Sequence, residues 1–351
     1  MMTTLDEGGS GPTDWGVVSP ATDREAPGPS TLPSFDALLD AAHAGGPRTV
    51  AVVYPVSRSA LLAAVDAHRA GLLIPVLVGP TDRIAEVARR SGTDVDSFET
   101  VAADDEESTA SAAVDLVRSG RADMLMKGSL HTSAFLRAVL DRHSGLRGPG
   151  RASHVFVFDV PGRGRPLMVT DAVVNVAPDL AQKADICRNA IGLAHALGIS
   201  RPKVAVLSAI EVVDPAIPST VDAAALAKMA DREEIAGGTV DGPLALDDAI
   251  SPRALAVKHI SSSVGGEADI LLVPSLEAGN ILYKSLVYVG GAEVAGIVVG
   301  LQVPLILTSR ADTVRSRVAS AALAGVWAEH HPPSTPALAR SATPESPSHL
   351  G

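Results

Sequence analysis

The chain has 351 residues and a net charge of −11 at pH 7, and 46% of its residues are hydrophobic but only 3% are aromatic. This length suits two domains of roughly 100 to 200 residues, the acidic charge argues against a nucleic-acid-binding protein, and the single cysteine, Cys187, excludes a disulfide within the chain. The longest apolar stretch, VAGIVVGLQVPLIL, is shorter than the roughly 20 residues of a membrane-spanning helix, so we expect no membrane contact. The single cysteine fits a reducing compartment, and we expect a cytoplasmic protein.

Both ends of the chain are predicted to be disordered. Residues 1–33 and 331–351 are rich in Gly, Pro, Ser and Thr and show no apolar periodicity. The N-terminus has no basic segment followed by an apolar run, so we expect no signal peptide. The folded part is therefore expected over 34–330.

Four strand–helix pairs follow one another in the first half of the folded part. The strands are predicted at TVAVVYPV, LIPVLVG, FETVA and ADMLMKG, and the helices at SRSALLAAVDAHRAG, TDRIAEVARRSG, EESTASAAVDLVRSG and TSAFLRAVLD. Thr81 is the expected N-cap of the second of these helices. Strict alternation of strand and helix predicts a parallel α/β sheet, and the scarcity of aromatic residues fits a buried aliphatic sheet.

A loop rich in Gly and Arg, RHSGLRGPGRAS, interrupts the alternation and is our candidate domain boundary. HVFVFDV and RPLMVTDA, joined by PGRGR, predict a β-hairpin. Alternation then resumes with helix APDLAQKADICRNAIGLAHALG, strand KVAVLSAI, helix TVDAAALAKMADR, a loop through DGPLALDDAIS and helix PRALAVKHISS. Strand ADILLVP, helix AGNILYKSLVYVG, strands VAGIVVG and VPLILTS, and helix TVRSRVASAALAGVW complete the prediction.

Polar residues follow several predicted strands, and ligands of open parallel sheets bind outside the carboxyl ends of strands. The first such group is Lys127, Gly128 and Ser129, placed before a helix whose free N–H groups favour an anion. Gly128 would let the backbone approach a ligand, and Lys127 would supply positive charge. The alternative is an ordinary capped helix with an exposed lysine.

A second polar group, Thr170, Asp171 and Asn175, ends the strand of VTDAVVNVAPD. Substrate contact is one interpretation. Local turn chemistry is the other, because Asp and Asn commonly bond to nearby backbone groups.

Two more polar groups lie near the end of the chain. Asn280 and Lys284 share one helix face, either as ligand contacts or as a solvated stripe. In TSRAD, Arg310 can hold a phosphate with two donors, and Ser309 can donate or accept a hydrogen bond. Asp312 is either a base or the N-cap of the last helix.

Several well-known site motifs are missing from the sequence. It contains no G-x-x-x-x-G-K-[ST], no G-x-G-x-x-G after a strand, no H-E-x-x-H and no G-x-S-x-G, and no Cys/His group has the spacing of a metal site. We therefore expect neither a metal nor a cofactor.

The polar stretches resemble, in their order along the chain, the phosphate acetyltransferase and butyryltransferase family. The matching segments are ADMLMKGSLHTSAFLRAVLD, SHVFVFDVPGRGRPLMVTDAVVNVAPDLAQKADI, DGPLALDDAIS, GEADILLVPSLEAGNILYKSL and VPLILTSRAD. The LMKG, VTDA and TSRAD stretches look closer to the butyryl-type branch, or to the acyltransferase domain of enoyl-CoA hydratase fusions, than to the longer acetyl enzymes.

The resemblance implies an α/β fold of two α/β/α domains with a cleft between them, similar to isocitrate and isopropylmalate dehydrogenases. The first domain would comprise 34–150 and 301–330, and the second 151–300. TSRAD would lie beside Lys127, with VTDA and EAGNILYK across the cleft. A homodimer is also implied.

The implied reaction is reversible transfer of a short acyl group, acetyl or butyryl, between CoA and inorganic phosphate, with CoA and acyl-CoA as substrates. Ser309, Arg310, Asp312 and Asp171 would be the catalytic candidates. Lys127, Gly128, Ser129, Thr170, Asn175, Asn280 and Lys284 would bind substrate or phosphate.

One departure from the family pattern leaves the base open. Acetyl-type enzymes carry an acidic residue six positions after the arginine, where this chain has Ser316. Asp312 is the first candidate for the base and Asp171 the second. The missing acidic residue also leaves open a non-catalytic acyl-CoA-binding protein. A decarboxylating dehydrogenase of the same architecture would need a cluster of metal-binding Asp residues, which we do not find.

Overall fold

The computed structural model describes residues 34–307 and 312–332. The predicted disordered segment 1–33, and the predicted tail 331–351 apart from residues 331 and 332, lie outside the described residues. So do residues 308–311, which include Ser309 and Arg310. The predictions made for these segments remain predictions.

The described residues form a mixed α/β fold around a large central sheet. Its strands are β1 (Arg48–Val53), β2 (Leu73–Gly79), β3 (Glu99–Ala102), β4 (Met124–Lys127), β5 (Ser153–Asp159), β6 (Leu167–Thr170), β7 (Lys203–Leu207), β8 (Thr239–Leu244), β9 (Ile270–Leu272), β10 (Glu293–Val299) and β11 (Leu305–Ile306). The helices are α1 (Phe35–Ala44), α2 (Arg58–Arg69), α3 (Thr81–Ser91), α4 (Glu106–Arg118), α5 (Thr132–Val139), α6 (Leu180–Ala196), α7 (Pro218–Asp231), α8 (Leu246–Ile250), α9 (Pro252–Lys258), α10 (Leu276–Lys284) and α11 (Val314–His330), and a π-helical turn (Ser285–Val289) extends α10.

The predicted alternation is confirmed through most of the chain, with three local differences. Helix α1 was not predicted, although Ser34 caps it and it buries Phe35 and Leu38. The loop predicted through DGPLALDDAIS instead holds β8 and α8, because Gly and Pro in an edge strand mimic a turn. Thr81 is the first residue of α3 rather than its N-cap, which is Pro80.

All eleven strands belong to one sheet, in the order β3-β2-β1-β4-β11-β10-β5-β6-β9-β7-β8. The first five strands of that order are parallel to one another, and the last four are also mutually parallel. The middle strands β10 and β5 pair antiparallel with each other and with their outer neighbours β11 and β6. The two parallel groups therefore run in opposite directions. A division into two domains remains a prediction.

Helices cover the two faces of the sheet differently. On one face, side chains from strands of both groups join a single apolar core with helices α1, α2, α3, α6, α7 and α11. On the other face, α4 and α5 pack over the first group of strands, and α8 and α10 pack over the second. Alternation along β10 shows that these two cores share a face, because Val294 belongs to one and Val298 to the other. Between them lie His154, Phe156 and Gly296.

The strand register brings the two sets of carboxyl ends to nearly the same level. Met126 of β4 and Thr170 of β6 lie in one row, connected through Ile306, Ile297 and Val155. Four strand spacings separate them, about 19 Å at ~4.8 Å per spacing. The two strand ends therefore face each other across the space between the helix groups.

Gly128 is required by close packing at the end of β4. Its N–H donates to the Val53 carbonyl at 2.8 Å, and the N–H of Ser129 donates to the Tyr54 carbonyl at 2.8 Å. A Cβ atom on residue 128 would stand 2.3 Å from the Val53 oxygen and 2.5 Å from the Tyr54 oxygen. The lack of a side chain at Gly128 therefore lets the backbone of β1 and of Tyr54 pack closely against it.

We expect Gly128→Ala to destabilise the fold by about 1–3 kcal/mol, because rigid backbone atoms cannot yield to the new methyl group. Urea unfolding measures the change. Gly325→Ala is the matched control: in helix α11 its methyl would meet only Ala42 Cβ, at 3.9 Å. That variant should be stabilised by about 0.5–1 kcal/mol. Equal shifts in both variants would contradict the packing argument.

Candidate active site

The end of β4 ties three elements together. Ser129 donates its hydroxyl to Ser57, the N-cap of α2, at 2.8 Å. Lys127 is half-buried, and its Nζ donates to the Gly128 carbonyl at 3.1 Å. The structure thus places the predicted Lys127-Gly128-Ser129 group at the carboxyl end of β4, directly before α5.

The end of β6 is a buried hydrogen-bonded turn. One carboxylate oxygen of Asp171 accepts the N–H groups of Val173 and Val174, at 2.8 and 3.0 Å. The other accepts the N–H and the side-chain amide of Asn175, at 3.2 and 2.6 Å. Burial raises the pKa of Asp171, against these hydrogen bonds, which lower it. Both oxygens are engaged, so the carboxylate holds the turn together.

Thr170 and Asn175 join this turn to the start of β5. The Thr170 hydroxyl donates to the His154 carbonyl at 2.9 Å, and the Asn175 amide donates to the Ala152 carbonyl at 3.0 Å. The Asn175 oxygen also accepts a hydrogen bond from Arg151. Both residues are buried. Their described contacts are those of the turn interpretation.

Helix α10 lies on the same turn. Only glycine fits at position 279, because a Cβ atom there would stand 2.8 Å from the Cβ atom of Ala172. Asn280 is half-buried and Lys284 is exposed. Tyr283 of the same helix stacks on Phe156, with ring centroids 4.3 Å apart and planes 3° apart.

Asp312 begins the last described segment. The N-cap of α11 is Thr313, whose hydroxyl accepts the Ser316 N–H at 3.1 Å, so the interpretation of Asp312 as the cap is wrong. Burial, and then the charge of Asp312, raise the pKa of Tyr283 to about 12. The negative charge of Asp312 thus acts on the Tyr283 phenol of α10. Ser309 and Arg310, immediately before it in the chain, are outside the described residues.

An open groove of about 520 Å³ runs between α5 and the loops that precede β5 and follow β6. Three arginines line it: Arg137 of α5, and Arg147 and Arg151 of the loop before β5. All three are exposed. They form a local positive surface on a chain whose net charge is −11. The sequence prediction missed them because it considered only residues that follow strands.

His154 lies on the sheet between the two helix groups, and the sequence prediction did not single it out. It is 1% exposed, and neither ring nitrogen has a hydrogen-bond partner among the residues that the structure describes. Its ring packs on Phe156, with centroids 4.3 Å apart, and occupies the space left open by Gly296. Burial lowers the pKa of His154 to about 3, so the ring is neutral at physiological pH.

No group of three or more potential metal ligands occurs in the described part of the chain. Nor, over those residues, does any helix have the length and apolar character needed to cross a membrane.

Comparisons of this chain with known proteins agree on one family. A family model described as "Phosphate acetyl/butaryl transferase" matches residues 81–325. The chain belongs to this family. A phosphate acetyltransferase of Rhizobium meliloti is 47% identical over 300 residues, covering 86% of this chain and 95% of that protein. A phosphate butyryltransferase of Clostridium acetobutylicum is 43% identical over 297 residues, covering 85% and 99%.

Solved structures agree with these matches. The crystal structure of a branched-chain phosphotransacylase from Enterococcus faecalis V583 has a TM-score of 0.72 and 34% identity, and the match covers 81% of this chain and all of that one. The resemblance noted in the sequence is confirmed. Relatives named for acetyl and for butyryl transfer are similar to this chain to nearly the same degree.

The buried His154 predicts how stability depends on pH. Below pH 6.5 the unfolded state takes up a proton on this ring, whereas the folded state does so only near pH 3. His154 therefore removes stability as the pH falls from about 6.5 towards 3 and has no effect above that range, with a slope of at most about 1.4 kcal/mol per pH unit. His154→Phe and His154→Asn should both show a shallower acid slope in urea unfolding.

The comparison isolates His154, because the raised pKa of Asp171 acts in the opposite direction and is present in all three proteins. Identical slopes in wild type and both variants would show that the ring is already protonated in the folded state.

Proposed function

We propose that this protein catalyses reversible transfer of a short acyl group between CoA and inorganic phosphate. The observation that carries the proposal is the groove lined by three arginines, which begins at α5, directly after the strand end that holds Lys127. Membership of the phosphate acetyl/butyryl transferase family supports the same reaction.

The groove suits the polyanionic part of CoA. CoA carries a diphosphate and a further phosphate on its ribose, and the guanidinium groups of Arg137, Arg147 and Arg151 match phosphate oxygens with paired donors. Thr132 and Ser133, at the N-terminus of α5, also line the groove and add free N–H groups that favour an anion. In this proposal the thioester end of acyl-CoA extends from the groove towards Lys127.

The chemistry needs a bound phosphate, a polarised carbonyl and a proton carrier. A phosphate oxygen attacks the thioester carbon, the C–S bond breaks, and the departing thiolate receives a proton. We assign phosphate binding to Arg310 and Lys127 and stabilisation of the carbonyl oxygen to Ser309. In the reverse direction a base removes the CoA thiol proton.

Asp312 is our choice for this base over Asp171. The four hydrogen bonds that Asp171 accepts leave its carboxylate committed to the turn after β6. Thr170 and Asn175 are assigned to positioning that turn beside the substrate. Gly128 and Ser129 shape the phosphate side, and Asn280 and Lys284 contribute from α10. Neither a metal nor a cofactor is needed.

We further propose a cytoplasmic homodimer. Ile281, Tyr288 and Val289, on α10 and its π-helical extension, expose 66%, 67% and 88% of their surface. Apolar residues exposed together are typical of a contact with another protein. A second copy of this chain is the occupant we propose.

The reaction is tested by release of free CoA from acetyl-, butyryl- and isobutyryl-CoA, with and without phosphate. We expect phosphate-dependent release, and we expect Arg310→Ala to lower it by at least about tenfold through loss of a charged phosphate contact. Unchanged activity of that variant would remove Arg310 from the site. Tight CoA binding without turnover in the wild type would instead indicate the non-catalytic acyl-CoA-binding protein.

The CoA assignment of the groove is tested by Arg147→Ala. Loss of one charge-assisted contact should raise the KM for acyl-CoA by about 10- to 100-fold while kcat changes little, because this contact is equally present before and during the reaction. Arg142→Ala is the matched control, since Arg142 is an exposed arginine near the same loop that does not line the groove. Equal effects of the two substitutions would indicate only a general loss of positive charge.

A further inference from the structure

Arg317 of α11 makes a buried connection between two elements and the backbone of Asp312. Its Nε and Nη2 donate to one carboxylate oxygen of Asp66 on α2, at 3.2 and 2.5 Å. Its Nη1 donates to the main-chain carbonyl of Asp312 at 2.7 Å. The side chains of Arg317 and Asp66 are only 11% and 14% exposed.

This geometry differs from that of an ordinary surface ion pair. Exposed pairs of long side chains contribute little and change partners easily. The guanidinium of Arg317 instead uses three of its donors on two fixed acceptors, so its plane and its position are both determined. The carbonyl of Asp312 is thereby attached to the rigid contact between α2 and α11.

The place of Asp312 in the chain decides what this attachment affects. Asp312 follows Ser309 and Arg310 in the sequence and precedes the first turn of α11. Tyr283, whose pKa the charge of Asp312 helps to raise, is held by its stacking on Phe156. Fixing the backbone of Asp312 therefore restricts the positions that its carboxylate can take.

We propose that Arg317, oriented by Asp66, is a positioning residue that fixes Asp312 for acyl transfer. This inference rests on the proposed function and assigns no contact between Arg317 and a substrate. The CoA groove is lined by other elements, and neither Arg317 nor Asp66 takes part in it. The pair should therefore govern turnover and leave CoA binding alone.

Arg317→Lys is the decisive variant, because a single ammonium group keeps the charge beside Asp66 but cannot reproduce the planar fork that also reaches the Asp312 carbonyl. We expect kcat for phosphate-dependent CoA release to fall roughly tenfold or more. The dissociation constant for CoA, measured by calorimetry, should stay within about twofold of the wild-type value.

Arg315→Lys is the matched control. Arg315 is two residues away on the same helix and also pairs with two acidic residues, Glu293 at 2.6 Å and Asp36 at 3.2 Å, but it is exposed and does not contact Asp312. Its replacement should leave kcat unchanged. Asp66→Asn gives a second test, since it keeps the acceptor shape but removes the charge that orients Arg317; it should reduce kcat with the same unchanged CoA affinity.

The outcomes separate the two proposals. A folded wild-type protein without phosphate-dependent turnover refutes the proposed function, and this inference with it. An active wild type with full kcat in Arg317→Lys and Asp66→Asn refutes the positioning role alone. Loss of CoA binding together with a lowered melting temperature in both variants also refutes it, because the pair would then be a purely structural connection.

Discussion

The antiparallel pairing of β10 with β5 is the constraint on which the rest of the structure depends. It joins two groups of parallel strands that run in opposite directions into one sheet. Because β4 and β6 are short and end within one residue of the same row, the polar residues that follow them lie at nearly one level of the sheet. In an ordinary parallel sheet the carboxyl ends of all strands lie along one edge. Here β4 and β6 run in opposite directions, and their carboxyl ends lie close to one row inside the sheet.

Helices cover the two faces of the sheet unevenly. A continuous layer of helices seals one face, while two separate helix groups leave His154, Phe156 and Gly296 between them on the other. A glycine inside a central strand weakens the strand, and in this position it marks a close approach of other atoms. Here those atoms belong to the ring of His154, so the sheet surface between the two helix groups is closely packed.

The sequence was sufficient to predict the order of most strands and helices, because aliphatic strands and amphipathic helices have different periods. It was not sufficient for β8, where Gly242 and Pro243 read as a turn, nor for the reversed direction of the second strand group, which depends on pairing between distant segments. The strand-end rule selected Lys127 and Thr170 as candidates but not Arg147 or Arg317. Arg147 lies before a strand and Arg317 inside a helix, and only the folded chain shows that Arg147 lines the groove and that Arg317 contacts Asp66 and Asp312.

The two aspartates that the sequence offered as candidates for the base have different environments in the structure. Asp171 is buried and surrounded by donors that hold its carboxylate in the turn after β6, so a proton exchange there would disturb four hydrogen bonds. Asp312 is held instead by the hydrogen bond that Arg317 donates to its main-chain carbonyl. The charge of its carboxylate helps to raise the pKa of Tyr283 on α10. The two residues are therefore held in different ways, Asp171 through its carboxylate oxygens and Asp312 through its main-chain carbonyl, and this difference is why we propose Asp312 rather than Asp171 as the base.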